Sequence, residues 1–241
     1  MAAAETPTMM MDRLADAAWT MLADQAPRAI HIDDVADAAG VAPTAARTVA
    51  GSMTALILHK LQRLDRQAAL ETLADIEDAG AVPVRDKIVE ALMHRFEVYA
   101  PYRRQVAQLN AAAQRDPALG LRLLDSLVQA MRMLLRMAGD DLAGWQGEAR
   151  VRGVAAVAMV VARTWQDDET PDLATTMKDI DRRLETAEEW GRTLRVLGGK
   201  ASSRHDDGMA GGDDPLDGTA GDTPSDTPSD TPGDTPGGRY Q

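Results

Sequence analysis

The chain has 241 residues, 44% of them apolar, no cysteine and a formal charge of −12. The missing cysteines exclude disulfides, thiolate nucleophiles and zinc–sulfur sites. Aromatic residues at 3% leave Leu, Val, Ile, Met and Ala to fill the interior, which favours closely packed helices over sheet.

The charge is unevenly placed. Nine Asp and two Arg from Ala201 onward carry −7 of the total, leaving −5 on residues 1–200. A surplus of that size leaves room for a local basic face of the kind phosphate contact requires. No basic region precedes an apolar stretch at the start, so no signal peptide is expected. The most apolar run, GVAAVAMVVA at 153–162, is about half the roughly twenty residues that cross a bilayer. A cytoplasmic protein without membrane insertion is the expectation.

In chain order, Met10, Leu14, Ala17, Met21 and Leu22 recur at helical spacing, and Pro27 ends that run. Ile32 to Ala39 reads as a short helix and Pro43 to Val49 as another. Ser52 can cap a long helix bearing Leu56, Leu61, Leu64, Ala68 and Leu73, which stops near Gly80 and Pro83. Ile88, Leu92, Phe96 and Tyr99 form the next stripe, closed by Pro101, and a short helix follows from Tyr102 to about Ala113. Asp116-Pro117 is an N-cap with proline at the first helical position, and it launches Leu124, Leu127, Val128, Met131 and Leu135. Gly147 is expected to precede the most apolar helix, about Glu148 to Trp165. Thr170-Pro171 is expected to open the last one, with Leu173, Met177, Ile180, Leu184, Ala187 and Leu194.

The pattern predicts an all-α chain of nine helices with no strand: a small N-terminal unit on a larger bundle. From Ala201 the residues are almost entirely polar or Gly and Pro, with DTPS, DTPS, DTPG and DTPG in tandem at 222–237. Such a segment buries too little apolar surface to offset its ordering entropy, so a disordered acidic tail is expected.

The stretch IDDVADAAGVAPTAARTVAG at 32–51 has the layout of a helix-turn-helix. Ile32 and Val35 pack its first helix, Ala36 and Ala39 allow close approach, Gly40 makes the turn and Val41 plugs the joint. Together with RLADAAWTMLADQ before it, this stretch resembles the start of the TetR family of transcriptional regulators. Residues 84–109 and 164–190 are similar to a bacterial TetR subgroup and to the TetR-like lipid-binding accessory proteins of ubiquinone biosynthesis. The resemblance covers roughly residues 9–197. It implies a DNA-binding-like domain at 1–52, a helical ligand-binding and dimerisation domain at 53–199, and the tail at 200–241.

By that resemblance the DNA-contacting residues are Arg28, Thr44, Arg47, Thr48 and Ser52. The family pattern is not kept throughout. Pro43 stands where a Lys is usual, Arg47 where a Tyr is, Ala50 where a Phe is, and Met53 where a phosphate-contacting Lys often lies. Arg47 is the one side chain in the stretch able to grip a guanine edge or a phosphate, and the alternative is an exposed helix that merely packs.

The last two helices carry apolar residues on more than one face. A homodimer through Val154, Ala158, Val161, Trp165, Ile180, Leu184 and Ala187 is therefore expected, with Val151 and Trp190 beside them. Met93, Met131, Met133, Met137, Met159 and Met177 either fill the core or line a pocket for an apolar ligand.

His31, His59, His94 and His205 are scattered, with no metal-binding or nucleophile motif. No catalytic residue, cofactor or metal is expected, and His94 reads as a packed or surface residue. Asp167-Asp168-Glu169 and Arg182-Arg183 read as ordinary surface and helix-end charges. Two functions remain: a DNA-binding regulator released by a small apolar ligand, and a lipid- or isoprenoid-binding accessory protein of quinone biosynthesis that does not bind DNA.

Overall fold

A computed structural model describes residues 6–79 and 82–189. Trp190, Leu194 and the whole repeat tail, for which expectations were stated, lie outside them. Among the described residues there are nine helices and no strand.

Thr6 accepts a hydrogen bond from the Met9 amide, and Pro7 takes the first position of α1 (Pro7–Met21). A 3-10 turn at Pro27–Ala29 leads into α2 (Ile32–Ala39). Gly40 ends α2 in the left-handed conformation at φ +63°, and the Val41 amide reaches back to the Ala36 carbonyl at 2.9 Å. This is the reversal for which glycine is suited at a helix end. Arg13 of α1 donates its guanidinium to the Ala39 and Gly40 carbonyls, a cation at the negative pole of α2. Pro43 then starts α3 (Pro43–Ala50). Leu14, Ala15, Ala18, Trp19, Val35, Ala36, Val41, Ala46 and Ala50 are all buried, so three short helices hold one small core together.

Ser52 accepts from the Ala55 amide at 3.1 Å and caps α4 (Met53–Ala79). At 27 residues this helix is about 40 Å long. It packs against α1 and α3 and also against α5 (Val84–Tyr99) and α7 (Pro117–Met137). Between α5 and α7 lie a 3-10 turn, Ala100–Tyr102, and α6 (Arg103–Ala113). Asp116 accepts from the Ala118 and Leu119 amides at 3.0 and 3.1 Å, the expected cap of α7.

Two boundaries differ from expectation. Helix α8 (Gly144–Asp167) begins three residues before Gly147, which is buried inside it. A Cβ on Gly147 would fall 2.2 Å from the Leu142 backbone, so this glycine permits a close approach and does not break the helix. Helix α9 covers residues 174–189; Thr170-Pro171 lies in the turn before it and does not open it. The organiser of that corner is Asp168. Its buried carboxylate accepts from the Thr170 amide and hydroxyl, at 3.1 and 2.5 Å, and from the Thr176 amide and hydroxyl, at 2.8 and 2.7 Å. Burial pushes the Asp168 pKa up, but the hydrogen bonds from Thr170 and Thr176 outweigh it and hold the group well below the usual carboxylate range. Leu173, between these two threonines, lies in left-handed backbone at φ +51°. Arg182 and Arg183 clamp Asp179 of their own helix at 2.6 and 2.9 Å.

The expected dimer residues occupy another place. Val154, Ala158, Val161, Trp165, Ile180 and Leu184 are buried by the chain's own packing, and only Ala187 is exposed. Trp165 donates to the Phe96 carbonyl at 3.1 Å and Thr164 to Asp179 at 2.9 Å. The broad apolar surface of α8 is thus consumed by α5, α7 and α9. What it leaves outward is Ala156, Met159 and Val160, with Met177 exposed on α9.

Two polar clusters fix α4. On its first half, His59, Lys60 and Arg63 meet Asp12 and Asp16 of α1: His59–Asp12 and Lys60–Asp16 at 2.7 Å, Arg63–Asp16 at 3.1 Å. Further on, buried Asp65 accepts from Arg95 Nε at 2.8 Å and the Tyr99 hydroxyl at 3.0 Å. Burial and the Asp65 carboxylate push the Tyr99 phenol well above its ordinary value, so it remains a donor.

Two outcomes are expected. A carboxylate whose folded pKa is depressed adds stability above its unfolded value, near pH 4, and loses it as pH falls further. Asp168→Asn should therefore lower stability at neutral pH by about 1–3 kcal/mol and reduce the loss between pH 5 and 3, read from urea midpoints at each pH. Gly40→Ala forces a Cβ into left-handed backbone, 3.2 Å from the Arg13 guanidinium. It should cost about 1 kcal/mol, measured as a lower melting temperature.

Candidate nucleic-acid interface

The turn at Gly40 sets α3 across the outside of the small front core. Ala46 and Ala50 face inward, and Thr44, Arg47 and Thr48, spaced three and four apart, share the exposed side. All five sequence-predicted contact residues are exposed. Thr44, Arg47 and Thr48 come together on α3, Ser52 sits at the start of α4, and Arg28 lies on the 3-10 turn before α2. The Thr48 hydroxyl donates to the Thr44 carbonyl at 2.8 Å. Ser52 Oγ is engaged as the α4 cap.

The electrostatics of this face are unusual for a nucleic-acid surface. Residues 6–52 carry Arg13, Arg28 and Arg47 against six Asp. Arg13 is turned onto the end of α2, and Arg47 pairs with Asp33 across the joint at 2.5 Å, both side chains more than half exposed. Such a pair is weak in water, so Arg47 can exchange Asp33 for a phosphate or a guanine edge at small cost. Neither partnership was readable in the residues, because each joins groups 14 or more positions apart. Arg13 is the functional side chain that the motif conceals: it shapes the turn from outside the helix pair.

Behind the front unit, the space between α4, α5 and α7 is nearly closed. A cavity of about 10 Å³ is lined by Ala68, Ala69, Thr72, Met131, Met133 and Met137 among others, with Asp65 and Arg95 at its wall. An open cleft of about 470 Å³ lies elsewhere, lined mainly by Glu97, Arg103, Asp168, Glu169 and Thr170. Of the six methionines considered as pocket lining, Met93 and Met131 are buried, Met133 and Met137 half-buried, and Met159 and Met177 exposed. No described helix is long and apolar enough to cross a membrane.

No protein-family model and no curated protein matches the sequence. Solved structures do. A TetR-family transcriptional regulator from Streptomyces coelicolor superposes with a TM-score of 0.53 at 16% identity, over 81% of this chain and 89% of that one. A TetR-family regulator assigned in Rhodococcus sp. gives 0.54 at 18% identity, over 72% of this chain and 95% of that one. At such identities the likeness is one of architecture, and it agrees with the order of helices derived above: the chain has the all-α fold of TetR-family regulators.

Proposed function

We propose that this chain is a homodimeric DNA-binding transcriptional regulator acting in the cytoplasm. The observation that supports this most is the outward face of Thr44, Arg47 and Thr48, held by a glycine-made turn in a fold shared with transcriptional regulators. In a two-fold pair the α3 helices would enter successive major grooves, half-sites about one helical turn apart. Arg47 would leave Asp33 to read a base edge, with Arg28, Thr44, Thr48 and Ser52 on the backbone.

The dimer surface of this reading is the outward side of α8 and α9: Ala156, Met159, Val160 and Met177. Arg152 and Arg163 flank it on α8, and Glu185 and Glu188 are exposed on α9, complementary charges for a two-fold contact. In this reading residues 1–52 serve as the DNA-binding unit and 53–199 as the part that pairs and responds.

Release by a small apolar ligand would act between α4, α5 and α7. The 10 Å³ present there is room for about one water, whereas drug-sized ligands occupy roughly 300 Å³ or more. Such a ligand enters by displacing the half-buried Met133 and Met137, and so moves α4, to which α1 is tied. The lipid-carrier alternative demands a still larger enclosed apolar space, and the 470 Å³ cleft is open and carries Glu97, Arg103, Asp168 and Glu169 in its wall.

Mobility shift with the intergenic DNA beside its own gene should show retardation at low salt. Arg47→Ala should weaken it by about tenfold or more, and Asp33→Asn should strengthen it. With two arginines on each head, log K against log salt should fall with a slope no steeper than about −4. No retardation at low salt by wild type or Asp33→Asn would sink this reading. Sedimentation should give a dimer, and the double variant Met159→Glu, Val160→Glu a folded monomer; a wild-type monomer would refute the pairing.

A further inference from the structure

We propose that Asp75 of α4 with Glu90 and His94 of α5 forms a binding site for a divalent transition-metal cation. Glu90 and His94 lie one turn apart on the same face of α5, and Asp75 reaches them from α4. One donor atom from each lies within 4.8 Å of the others. His94 Nε2 is 2.8 Å from Asp75 Oδ2 and 3.3 Å from Glu90 Oε1.

The imidazole is what lifts this cluster above a patch of surface acids. Its side chain is only 16% exposed while both carboxylates are more than half exposed. Its Nε2 is shut off from solvent and meets the two oxygens outside hydrogen-bond geometry. A lone pair directed at a cation would satisfy it. The other ring nitrogen, Nδ1, faces Glu97 Oε2 at 3.5 Å, one turn further along α5. An outer carboxylate on the second nitrogen is the arrangement that orients a metal-bound imidazole and sets its tautomer.

The chemistry selects the ion. Two carboxylate oxygens and one imidazole nitrogen suit zinc, manganese, iron(II), cobalt or nickel, and the nitrogen disfavours calcium and magnesium. Tetrahedral donors about 2.1 Å from a metal sit about 3.4 Å from one another. The Nε2–Glu90 distance of 3.3 Å already matches, and the exposed Asp75 carboxylate, at 2.8 Å, has to swing outward. Three protein ligands leave a coordination position open to water. A cation here would clamp the far half of α4 to α5, so an inorganic ion would influence the helix that carries α1. That consequence rests on the regulator reading; the binding itself does not.

The test is titration of the full chain with Co²⁺, followed by visible absorption, and with Zn²⁺ by calorimetry, in chelator-free buffer at neutral pH. One cation per chain should bind, with a rise in melting temperature. His94→Gln and Asp75→Asn should each weaken binding by more than about tenfold and abolish the rise, while keeping the metal-free melting temperature. His31→Gln, in the front unit, should bind as wild type does. Absence of stoichiometric binding, or equal binding by wild type and His94→Gln, overturns the site and leaves the cluster as a histidine among carboxylates. Failure of DNA retardation leaves this titration unaffected, so the two proposals fail separately.

Discussion

The α1–α4 contact governs the rest of the molecule. The front unit is too small to stand on its own apolar burial, and α4 supplies the missing wall through Leu56 and Ile57, both fully enclosed. Around that seam Asp12 and Asp16 meet His59, Lys60 and Arg63. Pairs this exposed contribute little singly. As a network on one side of an apolar contact they fix the angle at which α1 lies on α4. The direction in which α3 points is inherited from that angle, through the Arg13 contact with the end of α2. Tyr102, edge-on to Trp19 and beneath Lys60, extends the contact to the turn before α6.

An acidic front unit with two outward arginines is a sparse electrostatic design. Most nucleic-acid surfaces derive affinity from many phosphate contacts, which bind all sequences alike. With few of them, a regulator of the proposed kind would discriminate more through the fit of α3 and the pairing of two heads. On the proposed reading, the Asp33–Arg47 pair adds a competitor that any nucleic-acid contact of Arg47 would have to displace. Weak non-specific affinity and a sharper dependence on spacing would follow together from the same charges.

Local signals made much of this fold legible in the residues. Asp116-Pro117, Ser52 and Gly40 do what their chemistry dictates within three or four positions, and helical stripes marked the helices well. Contacts between distant positions were opaque. Asp168 acts on Thr176, eight residues on, so Thr170-Pro171 looked like the helix start when it is part of a turn. Gly147 resembled a breaker because nothing in its neighbours announces the Leu142 backbone against it. The apolar character of α8 showed that it is covered on most sides, not which side its own chain covers. Hence Val161 and Trp165 were expected at an interface and are core, while Met159, read as core or pocket lining, is exposed beside Val160.

The buried Asp65–Arg95–Tyr99 cluster limits how a signal can travel. Arg95 stacks 4.6 Å from the Tyr99 ring while its guanidinium holds Asp65, so the three groups form a fixed pin between α4 and α5. A slide of α4 by one turn, about 5.4 Å, would strand a carboxylate and a guanidinium in apolar surroundings, which is prohibitive. A rotation about the pin is compatible with both hydrogen bonds to Asp65. The cluster therefore acts as a fulcrum for the long helix: a displacement of its far arm would be passed on as a tilt, whereas translation along its axis is opposed.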